Sequence, residues 1–426
     1  MDRLLSALFS RLVTTGALEV MTANGAKLVF GDGGVPSVAV RFVDSRAQWA
    51  FLLDPDLRLG EIYMDRRLLV ERGTIFDFLC LILREAKHQR PTLPVRILDR
   101  LRYVMRKIVL NTGKGRSKHN AQYHYDLDGR VYDWMLDEDK QYTCAYFNRP
   151  GMSLEDAQLA KKRHVAAKLL VEPGQSVVDL GCGWGGFAMY LTETAGAGRV
   201  MGVNLSDAQI GIARERVAGR GLGDRVSFNI QDYRDAQGAF DRVSSVGLLE
   251  HIGPAHYGTF FKTVARLMKD DGLGVVHTIG CADGVNFPNP WLNKYIFPSG
   301  YIPALSELMP AIEAAGLIVT DTEIWRDHYV HTLHAWRERF MAHWDEAAKL
   351  YDERFCRMWE YYLSMGETAF LYEDVVIFQI QVAKRLDAVP YTRDYIAERE
   401  AALRAVEERL RLQRDDVAPV LVASAI

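Results

Sequence analysis

The chain has 426 residues, 49% hydrophobic and 25% charged, a globular balance that suits two domains or one elaborated domain. A formal net charge of −3 excludes a molecule-wide field for nucleic acid, and no apolar run reaches the roughly 18–20 residues that span a bilayer. Five scattered cysteines (80, 144, 182, 281 and 356) give neither zinc spacing nor a disulfide framework, and MDRLLSALFSRLVTTG lacks a small-residue cleavage site, so a reduced cytoplasmic protein is expected.

In chain order, residues 1–88 open with an amphipathic helix. Turn signals at Asn24-Gly25 and Asp32-Gly33-Gly34 then separate short β-rich runs such as AKLVF and VAVRFV, which predicts a small α+β domain. From Arg84 to Lys118 there are eleven Lys/Arg against two acids, Glu85 and Asp99, so residues 89–118 read as a basic linker. Within it Ile97, Leu98, Leu101, Val104, Met105 and Ile108 share one helical face, with Arg96, Arg100, Arg106 and Lys107 on the other. Residues 119–395 alternate strand and helix patterns (SVVDL, RVMGVNL, VSFNIQD, DRVSSVGLL, GLGVVHTIG), which predicts an α/β, doubly wound Rossmann-like sheet of the class I methyltransferase kind. Segment 324–365 reads as helical and aromatic, FLYEDVVIFQIQVAKR as a return to strand, and residues 396–426 as a charged C-terminal helix and tail that packs or stays at the surface.

The run VVDLGCGWGGFAMYLTE at 177–193 joins a strand to a helix through glycines, the usual form of a nucleotide-cofactor site. Its G-C-G-W-G-G spacing is not the G-x-G-x-x-G of pyrophosphate binders, and no phosphate-loop lysine is present. Asp179 at the strand end suits a ligand with a cationic amino group, and Gly181 and Gly183 let it approach the backbone; S-adenosylmethionine meets both demands. Asn204 stands where an acid commonly holds the ribose, with Ser206 and Gln209 nearby, and Asp232 ends the next strand in reach of an adenine amino group. A plain α/β turn is the bland alternative. Acceptor signatures for amino groups or cytosine are missing: the fourth strand runs into LLEHIG, and no Pro-Cys dipeptide follows.

QYTCAYF, DLGCGWGG, NLSDAQ, EHIG, HTIG and KYIFPSGYIP, with WRDHYVHTLHAW, together resemble the cyclopropane-fatty-acid synthases and their relatives, the mycolic acid cyclopropane synthases. The likeness is close over roughly residues 115–395 and looser over the N-terminal domain, which is similar to a lipid-carrier module. It implies transfer of a methylene group from S-adenosylmethionine to the cis double bond of an unsaturated acyl chain in a membrane phospholipid. The alkene attacks the sulfonium methyl, and a base then takes a proton from the new methyl as the ring closes. The family holds bicarbonate as that base. The resemblance carries its ligands onto Cys144, Glu250, His277, Ile279 and Tyr329, and cofactor contacts onto Tyr142, Thr143, Leu205 and Gln231 as well. Aromatic walls for the cation are expected from Trp291, Tyr295, Phe297 and Tyr301. Gly366 falls where some members carry a cysteine, whose role the scheme does not need.

The bland readings are a small buried hydrophobe for Cys144 and a satisfied core histidine for His277. The same cation resolved by hydride shift gives a methyl- or methylene-branched chain, and an ordinary oxygen or nitrogen methyltransferase and a non-catalytic lipid binder are further alternatives. The implied partners are a phospholipid and an anionic membrane surface touched from the cytoplasmic side; a homodimer is left open, and no metal or nucleic acid is expected.

Overall fold

The computed structural model describes residues 1–86, 89, 91–110 and 127–423, and for 106–109 and 414–423 the backbone alone. Part of the basic linker, 111–126, and the last three residues therefore lie outside the described residues.

The N-terminal unit runs α1 (Asp2–Leu12), β1 (Ala17–Met21), β2 (Lys27–Gly31), β3 (Val38–Phe42), α2 (Ser45–Leu53), α3 (Pro55–Met64), β4 (Leu68–Arg72) and α4 (Ile75–Leu83). Its sheet has the order β2-β1-β3-β4, with β1 and β3 parallel and the outer pairs antiparallel. Alternation along β1 and β3 turns Leu18, Val20, Val38 and Val40 inward, where Phe9, Phe51 and Phe78 from the helices complete a dry core.

Next comes α5 (Leu93–Val109), followed by α6 (Gly129–Met135) and α7 (Leu154–Leu169). The larger sheet is then laid down as β5 (Ser176–Leu180), α8 (Gly186–Glu193), β6 (Arg199–Asn204), α9 (Asp207–Gly219), β7 (Val226–Ile230), β8 (Phe240–Val246), α10 (Tyr257–Leu267) and β9 (Met268–Cys281). Two short helices, α11 (Pro290–Tyr295) and α12 (Leu305–Glu313), lead to β10 (Ile318–Trp325). After α13 (His328–Ala342), α14 (Trp344–Leu350) and α15 (Glu353–Tyr372) the chain returns as β11 (Val375–Ala383) and ends in α16 (Asp394–Ala423).

The seven strands lie in the order β10-β11-β9-β8-β5-β6-β7; β5 to β9 run parallel, and β11 is antiparallel to both neighbours. After β5 the chain builds outward through β6 and β7 and then crosses back to β8 on the other side of β5. A crevice opens at such a reversal, at the carboxyl ends of β5 and β8. All nine residues of β11 are buried, which is why it reads as a continuous apolar run broken only by glutamines.

The N-terminal unit shares a core with the catalytic sheet's helices. Gly60 on α3 lies so close to the fully buried Trp291 of α11 that a Cβ there would collide with the indole nitrogen. Glu61 accepts from Lys294 Nζ (2.6 Å) and Tyr295 OH (3.0 Å), and Tyr63 OH donates to Glu360 of α15 at 2.5 Å. These contacts correct three of the expected cation walls. Trp291 packs on α3 and Tyr361, Tyr295 bonds Glu61, and Tyr301 donates to Glu307 at 2.8 Å; all three serve packing, and only Phe297 reaches the crevice. Interdomain packing claims Trp291 and Tyr295, and α12 claims Tyr301. Gly366 lies on α15 against Leu333.

α5 presents its apolar stripe outward. Leu93, Ile97, Leu101, Val104 and Met105 are 43–67% exposed, whereas Arg102 turns in to Asp54 (2.7 Å) and Asp56 (3.5 Å) near the start of α3. No helix among the described residues is long and apolar enough to cross a membrane. The C-terminal α16 packs on α7 through Arg163–Glu407 (2.5 Å) and His164–Glu400 (2.6 Å), so the charged tail is a clamp.

Candidate active site

The crevice is lined at its floor by the β5 turn. Gly183 takes φ +53°, a left-handed value that disfavours side chains, and a Cβ built there meets no protein atom within 4 Å. The open space is part of the crevice. Asp179 is 3% exposed at the end of β5, accepts from Ser244 Oγ at 2.6 Å, and burial lifts its carboxyl to about 6. A carboxyl so placed is best stabilised by a cationic group, as the amino end of S-adenosylmethionine provides.

Tyr142, Thr143, Asp179, Gly181, Gly183, Asn204, Leu205, Gln209, Gln231 and Asp232 all line the crevice. Ser206 does not. It is fully buried as the N-cap of α9, where its hydroxyl accepts from Gln209 N–H at 3.3 Å, so it shapes the turn that presents Asn204. Asn204 Nδ2 donates to Gln209 Oε1 at 2.7 Å, a polar pair on the crevice wall. Asp232 is clasped by Arg234 Nε and Nη2 at 2.7 and 2.6 Å, so its carboxylate already holds a guanidinium. Beside the expected Phe297, Trp184, Phe187 and Tyr233 supply aromatic surface that the motif reading did not single out, and His251, whose imidazole burial keeps at about 4, adds a neutral ring.

Behind the crevice lie the five residues carried over as anion ligands. The Gly247 N–H donates to the His277 carbonyl at 2.9 Å, and Val246 pairs with His277 across β8 and β9; Val246 and Gly247 both line the crevice. A Cβ on Gly247 would lie 2.5 Å from the Thr143 methyl and 3.8 Å from Glu250 Oε1, which brings the QYTC segment and EHIG together. Glu250 accepts from Thr278 Oγ1 at 3.0 Å, and burial lifts its carboxyl to about 7 despite that bond and one from the Ile279 N–H. Cys144 is 1% exposed and burial raises its thiol far above the ordinary range. Its neighbour Ala145 donates its N–H to Thr332 on α13, one turn beyond Tyr329. Trp336 lies between Tyr142 (5.1 Å, tilted) and Tyr329 (5.8 Å, edge to face).

His277 is the most informative of them. The Gln379 side-chain amide, from β11, meets Nδ1 at 3.0 Å; with Nδ1 accepting, Nε2 carries the proton. Burial holds the ring neutral, with its pKa well below the ordinary value. Nε2 is buried and has no hydrogen-bond partner among the described residues. A buried donor without an acceptor costs roughly 1–3 kcal/mol, which a bound anion relieves. The donor chemistry therefore fits a small oxyanion, and no cluster of metal-ligating side chains occurs among the described residues.

Sheet order, glycine turn and cation-seeking acid define an S-adenosylmethionine-dependent methyltransferase of class I. The sequence model of the mycolic acid cyclopropane synthetase family matches residues 112–380, and the chain belongs to that family. It is 37% identical over 336 residues to cyclopropane-fatty-acyl-phospholipid synthase of Escherichia coli strain K12, covering 79% of this chain and 85% of the relative. It is also 30% identical over 377 residues to tuberculostearic acid methyltransferase UfaA1 of Mycobacterium tuberculosis, covering 81% and 84%. The solved mycolic acid cyclopropane synthase CmaA1, in complex with SAH and CTAB, superposes with a TM-score of 0.59 at 28% identity, covering 62% of this chain and 97% of that one.

Gly183→Val places branched bulk in the ligand space. Calorimetry is expected to show loss of S-adenosylhomocysteine binding with circular dichroism unchanged; undiminished affinity in the folded variant contradicts the assignment.

Proposed function

We propose that the enzyme adds a methylene bridge to the cis double bond of unsaturated acyl chains in membrane phospholipids, forming a cyclopropane ring. The observation that carries this reading is the buried Nε2 of a His277 ring held neutral, without a hydrogen-bond partner among the described residues. An alkene needs no activation, so the site requires no nucleophile-generating base. It does require a proton acceptor close to the new methyl and a dry, aromatic surround for the transient cation, where cation–π attraction contributes about 2 kcal/mol or more.

Bicarbonate, when bound, supplies the proton acceptor. Cys144, Glu250, His277, Tyr329 and the Ile279 backbone are the groups that would hold it: His277 donates, Glu250 orients, and the enclosing Trp325 and Trp336 exclude water. S-adenosylmethionine supplies the electrophilic methyl, and Asp179 fixes its amino end. The second reading, a methyl-branched product, is favoured by the relative named as a tuberculostearic acid methyltransferase. The two share every step up to the cation. Ring closure demands a base within about 3 Å of the methyl before hydride migrates.

The substrate lies in a bilayer, and α5 fits reversible docking on it. An exposed apolar stripe flanked by Arg96 and Arg100 matches an anionic interface, each arginine contributing roughly 1 kcal/mol.

With methyl-deuterated S-adenosylmethionine, mass spectrometry of the lipid product is expected to find two deuteriums on the added carbon. Three, or two deuteriums on an exocyclic =CD2 carbon in place of a cyclopropane ring by NMR, would mean that hydride migration won. Bicarbonate-free buffer is expected to slow the parent, and Glu250→Gln to cost about 10²–10³ in rate; indifference of the parent to bicarbonate would leave Glu250 as the base. In vesicle sedimentation, Ile97→Glu/Leu101→Glu is expected to release the protein from anionic lipid, and parental binding would reject α5 as the dock.

A further inference from the structure

Helix α7 carries the run Lys161-Lys162-Arg163-His164, and all four side chains are buried. Three have carboxylate partners: Lys162 meets Asp139 at 2.6 Å, Arg163 meets Glu407, and His164 lies between Glu323 and Glu400. Lys161 differs. At 1% exposed, its ammonium donates at 2.7 Å to two neutral oxygens, Gln141 Oε1 and Thr143 Oγ1, and it forms no ion pair among the described residues.

The carboxylates around it are committed elsewhere. Asp139 is shared by Lys162 and Arg216, and Asp137 accepts the N–H groups of Asp139 and Gln141. Three cations thus face two acids, in a setting where an uncompensated charge is expensive. Lys161 sits behind the wall of the crevice that Gln141 and Thr143 form, and its field reaches Cys144, Asp179 and His277. The Thr143 hydroxyl, accepting from the ammonium, keeps its own proton to donate. Gln158, one turn earlier on α7, pins the same segment through the carbonyls of Gln141 (3.1 Å) and Thr143 (2.9 Å).

We propose that Lys161, acting through Thr143 and Gln141, creates an anion-positioning subsite on the inner wall of the crevice that recognises a carboxylate or carbonate group. Lys161 is a positioning residue, and the anion is the missing counter-charge. The inference rests on the cofactor reading above. Two ligands carry the required chemistry, the carboxylate of the cofactor's amino-acid tail and the small inorganic anion, and they separate by experiment. Burial lowers the Lys161 ammonium to about 8, opposed by Asp137 and Asp139 and aided by Lys162. The cation is therefore present below that pH and lost above it.

The test uses the full chain, Lys161→Met, and two probes: S-adenosylhomocysteine, and its decarboxylated analogue, which keeps the amino group and lacks only the carboxylate. If the subsite holds the cofactor's carboxylate, the parent's preference for the first probe falls about ten- to hundredfold in the variant, and affinity for the analogue stays. The same preference shrinks in the unmutated protein as pH rises through the ammonium's pKa, an arm that needs no variant. If the subsite holds the inorganic anion, probe affinities stay and the bicarbonate concentration for half-maximal activity rises about tenfold or more in Lys161→Met. Equal losses for both probes reduce Lys161 to packing and overturn the proposal, as does a variant unchanged in every arm. Failure of the parent to bind either probe would instead overturn the cofactor reading.

Discussion

Desolvation of ionisable groups at the carboxyl ends of β5, β8 and β9 is the constraint on which the rest of this structure depends. Burial pushes Asp179 to about 6 and Glu250 to about 7 and, with neighbouring cations, keeps His277 neutral and draws Lys161 down to about 8. Each shift states that the charged form lacks a partner the protein itself provides. A cationic ligand end would answer Asp179, and the anion proposed above would answer His277 and Lys161. The site is built for charges that arrive with ligands, as befits chemistry in which a sulfonium and a carbocation must be met away from water.

The scaffold meets the constraint by layering. The sheet's reversal beside β5 opens the crevice, and α7 stands behind it, holding the QYTC segment through Gln158 and Lys161. β11, buried along its whole length, places the Gln379 amide against His277 Nδ1. On the other side, α3 of the N-terminal unit packs on α11, whose continuation carries Phe297 to the crevice. The N-terminal unit thus supports one wall of the site, while the helix that follows it, α5, shows an apolar stripe to the outside.

Local signals carried much of this. The alternation of strands and helices and the glycine turn were legible because a left-handed φ at Gly183 and an apolar run at β5 are demands on the residues themselves. The residues carried over as anion ligands were legible only through family resemblance; nothing in the spacing of Cys144, Glu250, His277 and Tyr329 announces a shared site. Trp291, Tyr295 and Tyr301 misled because aromatic type does not reveal which neighbour will claim a ring, and α3, Glu61 and Glu307 lie far from them in sequence or pull them away from the crevice. The Lys161–His164 run reads as a solvated face. It is buried because α16, β10 and the QYTC segment enclose α7 on several sides, a tertiary fact with no local signature. Ser206 illustrates the converse: its neighbours reach the ligand space, and its own hydroxyl is spent as a helix cap.

The central claim is that His277 is a neutral Nε2–H donor awaiting an anion, and nitrogen-15 NMR of histidine-labelled protein tests it most directly, with His277→Gln giving the assignment. The account predicts an Nε2–H tautomer that does not titrate between about pH 5 and 8 and whose shift moves on addition of bicarbonate but not of chloride. A ring that titrates near its ordinary value, or one indifferent to bicarbonate, would contradict it.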